Sequence, residues 1–174
     1  YATRGLDSWI KNDFTGDTYL TVPSSFRTPT SSISSVGTAN LDEAEALLAN
    51  SSEAIYVPSD KDIKARAVKA AAGLYQIVSK TVLVTAGSHG VAMKSDSIET
   101  WIPAFTLPKE KLKSAVGAGD CFVAGFVNAL EKNLEDLETA IKYGMATAAA
   151  QCETFEPGNL KKDRALEIFK AGRA

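Results

Sequence analysis

The stretch "LKSAVGAGDCFVAGFVNAL", residues 112–130, decides the fold of this chain. Gly117, Ala118 and Gly119 stand directly before Asp120 and an apolar run that predicts a helix over the rest of the stretch. Glycine lets the backbone turn tightly and approach a ligand without a Cβ in the way. Because the first N–H groups of a helix have no partner within it, those of Ala118, Gly119 and Asp120 are predicted to converge on an anion.

Asp120 is the residue that separates a catalytic site from a simple phosphate site. A carboxylate repels phosphate, so its presence is explained if it takes a proton from a hydroxyl that attacks the phosphate. The structural alternative is a glycine-rich loop in which Asp120 only adds a favourable negative charge to a helix start. The four residues from Gly117 to Asp120 by themselves leave both interpretations open.

The rest of the chain alternates predicted strands and helices. Apolar residues spaced three or four apart predict the helices, and β-branched apolar runs predict the strands, of which the last two are expected to form a hairpin. The predicted helices cover residues 40–50, 60–80, 117–130, 134–152 and 163–171, and the predicted strands cover residues 18–22, 54–57, 81–86, 91–94 and 98–102. This order favours an α/β layer structure with a largely parallel sheet flanked by helices.

Composition and charge argue against several classes of function. The 174 residues are 45% hydrophobic and carry a net charge of −2, which predicts one globular domain without a basic face for nucleic acid or a membrane. No run of about 18 apolar residues predicts a membrane span. Cys121 and Cys152 are predicted to be free thiols in a reducing, cytoplasmic compartment, with Cys121 as a packing residue. His89 is predicted to be a surface turn residue, with a nucleotide contact as the alternative.

Four segments together resemble the C-terminal half of the PfkB or ribokinase family of sugar and nucleoside kinases. They are, in the order and spacing of that family, "NLDE" (40–43), "VLVTAGSHGVAMK" (82–94), "IPAFTLP" (102–108) and "SAVGAGDCFVAGFVNAL" (114–130). The resemblance implies a three-layer, ribokinase-like and Rossmann-like α/β fold, of which only the C-terminal part is present. Residues 38–174 would be its ATP-binding and catalytic part, and residues 1–37 an uncertain lead-in or the remnant of a lid.

The resemblance implies how the helix start would act. Asp120 would be the base that activates the substrate hydroxyl. The N–H groups around Gly117, Ala118 and Gly119 would stabilise negative charge on the γ-phosphoryl group of ATP during its transfer. The small residues of the segment 143–152 would let their helix approach the adenine or the helix after Gly119 closely, or would serve ordinary packing.

ATP as co-substrate and Mg²⁺ as cofactor are implied in the same way. Asn40 and Glu43 would organise Mg²⁺ and its waters around the ATP phosphates, with Glu43 acting through a water, although a helix capping box explains the same spacing. Thr85, Gly87 and Gly90 would lie along the nucleotide. Ligands of open α/β sheets bind beyond the carboxyl ends of the strands, which is where these three residues are predicted.

Two departures from the family pattern qualify the resemblance. Ser114 and Ala115 stand where the family usually has a polar pair of the Asp-Thr or Ser-Thr type, so a potassium site is not predicted. The family's Gly-Gly substrate region and its β-sheet lid, through which members often form a homodimer, are not recognisable. The predicted activity is therefore phosphorylation of a sugar, sugar phosphate or nucleoside. The alternative is a non-catalytic nucleotide-binding or partner-binding fragment, or half of a pseudoenzyme.

Overall fold

The computed structural model describes residues 10–11, 19–20, 36–50, 62–78, 81–131 and 136–172. These residues belong to two units, one over residues 1–101 and one over residues 102–174. The strand predicted over residues 54–57 lies outside the described residues, as does most of the segment 1–37. The division predicted between residues 37 and 38 therefore stays a prediction.

The described strands form one sheet whose order follows the chain. The strands are β1 (Ile10–Lys11), β2 (Tyr19–Leu20), β3 (Val36–Asn40), β4 (Thr81–Thr85), β5 (Gly90–Lys94) and β6 (Glu99–Pro103). The expected parallel pairing occurs between β3 and β4, whereas β2 joins β3 and β5 joins β4 in antiparallel fashion. The sheet is therefore mixed and not largely parallel as expected, since one of the four pairings given by register among the described strands is parallel. The short connection between β4 and β5 returns the chain directly, whereas the longer connection before β4 crosses over.

The parallel pair exists because two helices connect its strands. These are α1 (Leu41–Asn50) and α2 (Ile63–Val78), and together they form the crossover that a parallel pairing needs. Helix α2 buries one stripe of small and apolar residues, including Ala67, Ala70 and Leu74. That stripe shares a core with Val82 and Val84 of β4. The continuous apolar run of β4 is thus explained by its burial at the centre of the sheet.

Three helices form the described part of the second unit. They are α3 (Ala118–Glu131), α4 (Leu137–Cys152) and α5 (Lys162–Ala171), and each begins and ends within three residues of its predicted bounds. The core shared by α4 and α5 contains Ala146 and Ala150 of α4 and Ile168 and Phe169 of α5. None of the helices among the described residues is long and apolar enough to cross a membrane.

Helices α3 and α4 pack closely at two glycines. A Cβ added to Gly125 of α3 would overlap the hydroxyl of Thr147 and lie 2.7 Å from its Cβ, and one added to Gly144 of α4 would lie 2.7 Å from the carbonyl oxygen of Phe122. Real Cβ atoms essentially never come within 3.0 Å of such atoms. The prediction that small residues in the segment 143–152 allow a close approach to the helix after Gly119 is confirmed at Gly144.

Candidate functional site

The helix start at the N-terminus of α3 depends on a glycine. Gly117 has a φ of 77°, in the left-handed region that L side chains rarely adopt. A Cβ there would also lie 3.0 Å from Cβ of Pro157. The backbone conformation therefore favours glycine at the turn that leads into α3, and the close approach of Pro157 adds to that preference.

The N–H groups of this helix start differ in one respect from the prediction. The N–H of Ala118 donates to the carbonyl of Ala115 at 3.1 Å, because a tight turn precedes the helix, so it is not free to bind an anion. The N–H of Cys121 donates to the carbonyl of Gly117 at 3.0 Å and begins the helical pattern. For the N–H groups of Gly119 and Asp120, no acceptor exists within the described part of the chain.

The surroundings of the Gly119 Cα and of the Asp120 side chain are open. A Cβ added to Gly119 would meet no atom within 4 Å, and the side chain of Asp120 is exposed. Two unpaired N–H groups at a helix N-terminus attract an anion, and glycine leaves room for it next to the backbone. The Asp120 carboxylate lies in the same turn of helix. The local structure thus fits a phosphate group and a carboxylate side by side.

Gln151, near the end of α4, holds the turn before α3 in place, and the sequence interpretation missed it. Its side chain is completely buried. Nε2 donates to the carbonyls of Glu156 at 3.0 Å and Val116 at 3.4 Å and to Oγ1 of Thr154 at 3.0 Å. A glutamine directly after the alanine-rich run of α4 is the signal that could have indicated this role.

The other atom of the same amide faces two donors. Oε1 of Gln151 accepts from the N–H of Gly158 at 2.9 Å and from the thiol of Cys121 at 3.6 Å. Burial raises the pKa of the Cys121 thiol, and burial also raises that of Cys152, so both stay protonated near neutral pH. Both are free thiols. A protonated, buried Cys121 fits the predicted packing role and not that of a nucleophile.

In the first unit, a second group of predicted residues lies at the strand ends. Asn40 and Thr85 are the last residues of β3 and β4 and stand opposite each other in the parallel register. With Gly87 and His89 they line a cleft of about 240 Å³. Ligands bind at this edge in open α/β sheets. The structure therefore brings together Asn40 and Thr85, which are far apart in sequence.

The turn after β4 forms one wall of this cleft. Gly87 has a φ of 55° and Gly90 a φ of 146°, so both adopt conformations that favour glycine. The N–H of Ala86 donates to the carbonyl of Gly90 at 2.8 Å, which closes the turn. The N–H of His89 donates to the carbonyl of Ala86 at 3.1 Å, and the exposed His89 ring lies against the same carbonyl through Nδ1. His89 is thus the predicted surface turn residue, although it also lines the cleft.

The capping box predicted as an alternative for Asn40 and Glu43 is present. The N–H of Asn40 donates to Oε2 of Glu43, and the N–H of Glu43 donates to Oδ1 of Asn40, both at 2.9 Å. Oε1 of the exposed Glu43 has no hydrogen-bond partner among the described residues. No cluster of three His, Cys, Asp or Glu side chains within those residues could hold a metal ion. The donors fit Mg²⁺ held largely by water and phosphate, and not a cage of protein ligands.

A comparison with protein families identifies the chain as a whole. The model of the pfkB family of carbohydrate kinases matches residues 18–164, which is most of the sequence. The chain belongs to the pfkB family. The resemblance inferred from the four sequence segments is confirmed.

Solved structures show that this pfkB family chain has the ribokinase-like fold. Ribokinase from Thermotoga maritima superposes with a TM-score of 0.64 over 78% of this chain and 42% of the ribokinase chain, at 23% sequence identity. The predicted α/β, ribokinase-like fold class is confirmed by that superposition, and the coverage fits the prediction that the chain contains part of this fold.

Curated relatives of this pfkB family chain include kinases of two kinds. Adenosine kinase 2 from Arabidopsis thaliana is 37% identical over 82 residues, which is 47% of this chain and 23% of the relative. 5-Dehydro-2-deoxygluconokinase from Lacticaseibacillus casei is 37% identical over 78 residues, which is 45% of this chain and 23% of the relative. The matched part thus spans less than a quarter of the length of either relative.

Proposed function

We propose that this chain carries out ATP-dependent phosphorylation of a hydroxyl on a sugar, sugar phosphate or nucleoside, with Asp120 as the general base. The observation that carries the proposal is the helix start of α3. Two N–H groups without acceptors among the described residues, those of Gly119 and Asp120, stand beside an exposed carboxylate in one turn of helix. An anion site alone does not need that carboxylate, whereas proton transfer does.

The proposed chemistry uses two properties of this helix start. The Asp120 carboxylate takes the proton from the acceptor hydroxyl as its oxygen forms a bond to the γ-phosphorus of ATP and the bond from that phosphorus to the ADP oxygen breaks. The N–H groups of Gly119 and Asp120 bind the phosphoryl oxygens and stabilise their negative charge. Gly117 contributes by forming the turn that places these N–H groups and the Asp120 carboxylate. Ala118 contributes through its small side chain, which adds little bulk next to the phosphoryl group. The proposed products are the phosphorylated acceptor and ADP.

The strand-end residues are proposed to contact the nucleotide. Asn40 and Thr85 present polar side chains at the carboxyl ends of two paired strands, and Gly87 and Gly90 keep the adjoining turn narrow. Glu43 is proposed to bind a water of Mg²⁺ through its Oε1, while its Oε2 keeps the capping box intact. Mg²⁺ would supply charge neutralisation at the ATP phosphates.

The acceptor class follows from the relatives and stays broad. One curated relative is named for adenosine, a nucleoside, and the other for 5-dehydro-2-deoxygluconate, a sugar acid. Both are kinases by name, which supports a hydroxyl acceptor for this chain. A cytoplasmic location and a homodimer remain predictions. The location is supported by the two free thiols.

A second candidate function is a module that binds Mg²⁺–ATP without transferring phosphate. The observation that favours it is the strand-end cleft lined by Asn40, Thr85 and Gly87, since binding of a nucleotide there does not require the Asp120 carboxylate.

Two measurements on the protein at its natural length separate these functions. ADP formation is followed with Mg²⁺–ATP and a panel of pentoses, hexoses, sugar phosphates and nucleosides, and nucleotide binding is followed by calorimetry. ADP formation that depends on one acceptor supports the kinase. Binding of Mg²⁺–ATP without turnover on any acceptor supports the binding module, and the absence of both refutes the two proposals together.

A further inference from the structure

Gln151 is the only buried polar residue within the described parts of the chain, and its side chain is fully inaccessible to solvent. Burying an amide is unfavourable unless its donors and acceptor are all bonded. The described structure meets that condition, because Nε2 faces three oxygens and Oε1 faces two donors. This pattern also fixes which end of the amide is which.

The bonds of Gln151 reach both sides of the proposed catalytic turn. Its Nε2 bonds to the carbonyl of Val116, the residue before Gly117, and its Oε1 accepts from the thiol of Cys121, the residue after Asp120. One side chain thus bridges the two ends of the turn that contains the unpaired N–H groups.

The remaining bonds of Gln151 connect this turn to the segment after α4. Nε2 bonds to the carbonyl of Glu156, and Oε1 accepts from the N–H of Gly158. Pro157, between those two residues, is the neighbour that a Cβ on Gly117 would meet at 3.0 Å. Gln151 therefore holds in place both the turn itself and the segment packed against it.

We propose that Gln151 is a positioning residue, which fixes the turn from Gly117 to Asp120 and with it the location of the Asp120 carboxylate. The inference rests on the proposed function of Asp120 as general base. Proton and phosphoryl transfer depend on placement, and a displacement of about 1 Å costs on the order of a hundredfold in rate. Gln151 acts on the reaction through the backbone, without touching the substrate.

The test compares two substitutions in α4 that both disturb buried positions. Gln151→Met keeps the length of the side chain and removes its hydrogen bonds. Ile141→Val is the matched control, because Ile141 is also fully buried and loses one methylene without changing any hydrogen bond. The two positions are ten residues apart, or about 15 Å along the helix.

Two readouts on the protein at its natural length separate positioning from simple destabilisation. The first readout is whether the substitution changes kcat or KM. Gln151→Met is expected to lower kcat by at least about tenfold and to leave the KM for ATP within about threefold of the wild-type value. Ile141→Val is expected to change neither kcat nor KM. The second is amide hydrogen exchange of residues 114–121, which is expected to become at least about tenfold faster in Gln151→Met than in Ile141→Val.

A conservative substitution adds a readout that loss of packing would not produce. Gln151→Glu keeps the acceptor, and its neutral carboxyl can donate one hydrogen bond to one of the same carbonyls, whereas the ionised form can donate none. Burial favours the neutral form. Relative to the wild-type protein, kcat of this variant is expected to recover as the pH is lowered from about 8 to about 6. Cys121, the titratable side chain bonded to Gln151, stays protonated over that range because burial raises its pKa.

The outcomes distinguish failure of this inference from failure of the proposed function. If kcat and exchange are the same in Gln151→Met as in Ile141→Val, the positioning role is refuted. If exchange becomes faster but kcat does not fall, Gln151 holds the turn without serving catalysis, and the inference is again refuted. If the wild-type protein shows no turnover with any acceptor, the proposed function fails, and the exchange data alone decide whether Gln151 orders the turn.

Discussion

Replacing Gly125 by alanine is expected to destabilise the second unit, although alanine is the better helix former. Gly125 lies inside α3, where a Cβ would overlap the hydroxyl of Thr147, lie 2.7 Å from Cβ of Thr147 and lie 3.1 Å from Cα of Gly144. A rotation of the Thr147 side chain relieves only the first of these contacts. The other two involve atoms fixed to the backbone of α4, so the helices must move apart.

The magnitude follows from two opposing contributions. In an exposed helix interior the change from glycine to alanine stabilises by about 1 kcal/mol, whereas overpacking of a tight contact costs about 1–3 kcal/mol, or about 2 kcal/mol as a central value. The expected net loss is therefore about 1 kcal/mol. For a chain of this size it corresponds to a melting temperature lower by about 2–4 °C.

Gly119→Ala is the matched control, because it makes the same chemical change in the same helix. A Cβ at Gly119 meets no atom within 4 Å, so the melting temperature is expected to stay the same or to rise. The assay is unfolding of both variants by heat and by urea, followed by circular dichroism. Equal stability of Gly125→Ala and Gly119→Ala would refute the claim that close helix packing at Gly125 stabilises this unit.

Two further predictions concern carboxylates at helix starts. Glu43→Gln keeps the capping box, because glutamine can replace glutamate in that motif, so the stability of the fold is expected to stay the same. The Mg²⁺ concentration that gives half-maximal turnover is expected to rise about tenfold. An unchanged Mg²⁺ dependence of turnover would show that Glu43 acts only as a cap. Asp136 caps α4, and hydrogen bonds from the Thr139 hydroxyl and from the N–H groups of Glu138 and Thr139 lower its pKa. Asp136→Ala is therefore expected to cost about 1 kcal/mol at neutral pH in urea unfolding. Asp136→Asn retains the cap. As the pH falls through the lowered pKa, this variant is expected to lose less stability than the wild-type protein, because the carboxylate stabilises the fold only while it is ionised. The same dependence of unfolding free energy on pH in both proteins would contradict this.

The sequence predicted the elements of the candidate site better than the bonds within it. Thr85 was predicted at a strand end from the apolar run before it, and it is the last residue of β4. Asn40 was predicted only as the start of a helix, because the residues before it form no apolar run, and it is also the last residue of β3, paired with Thr85. The capping box between Asn40 and Glu43 could be predicted because its spacing is local. The turn at Gly117 was predicted for the same reason, since a glycine directly before an apolar helical run favours a tight turn into the helix.

Features that depend on the dihedral angles of a turn or on distant contacts were not predictable from one sequence. The bond from the N–H of Ala118 to the carbonyl of Ala115 depends on the dihedral angles of the turn, which residue types do not specify. Gln151 follows an alanine-rich run, and its sequence neighbours do not reveal that Val116 and Gly158 meet around it. The mixed sheet likewise depends on which way the chain turns after Thr85.

The measurement that tests the central claim most directly is the rate of phosphoryl transfer by Asp120→Asn, in single turnover with Mg²⁺–ATP and the acceptor that supports wild-type ADP formation. Asp136→Asn serves as the matched control, because it also changes an exposed carboxylate at a helix start. The account predicts a rate lower by about a hundredfold to ten-thousandfold in Asp120→Asn, with nucleotide affinity retained and the control unaffected. A rate in Asp120→Asn equal to that of the wild-type protein would contradict the role of Asp120 as the base.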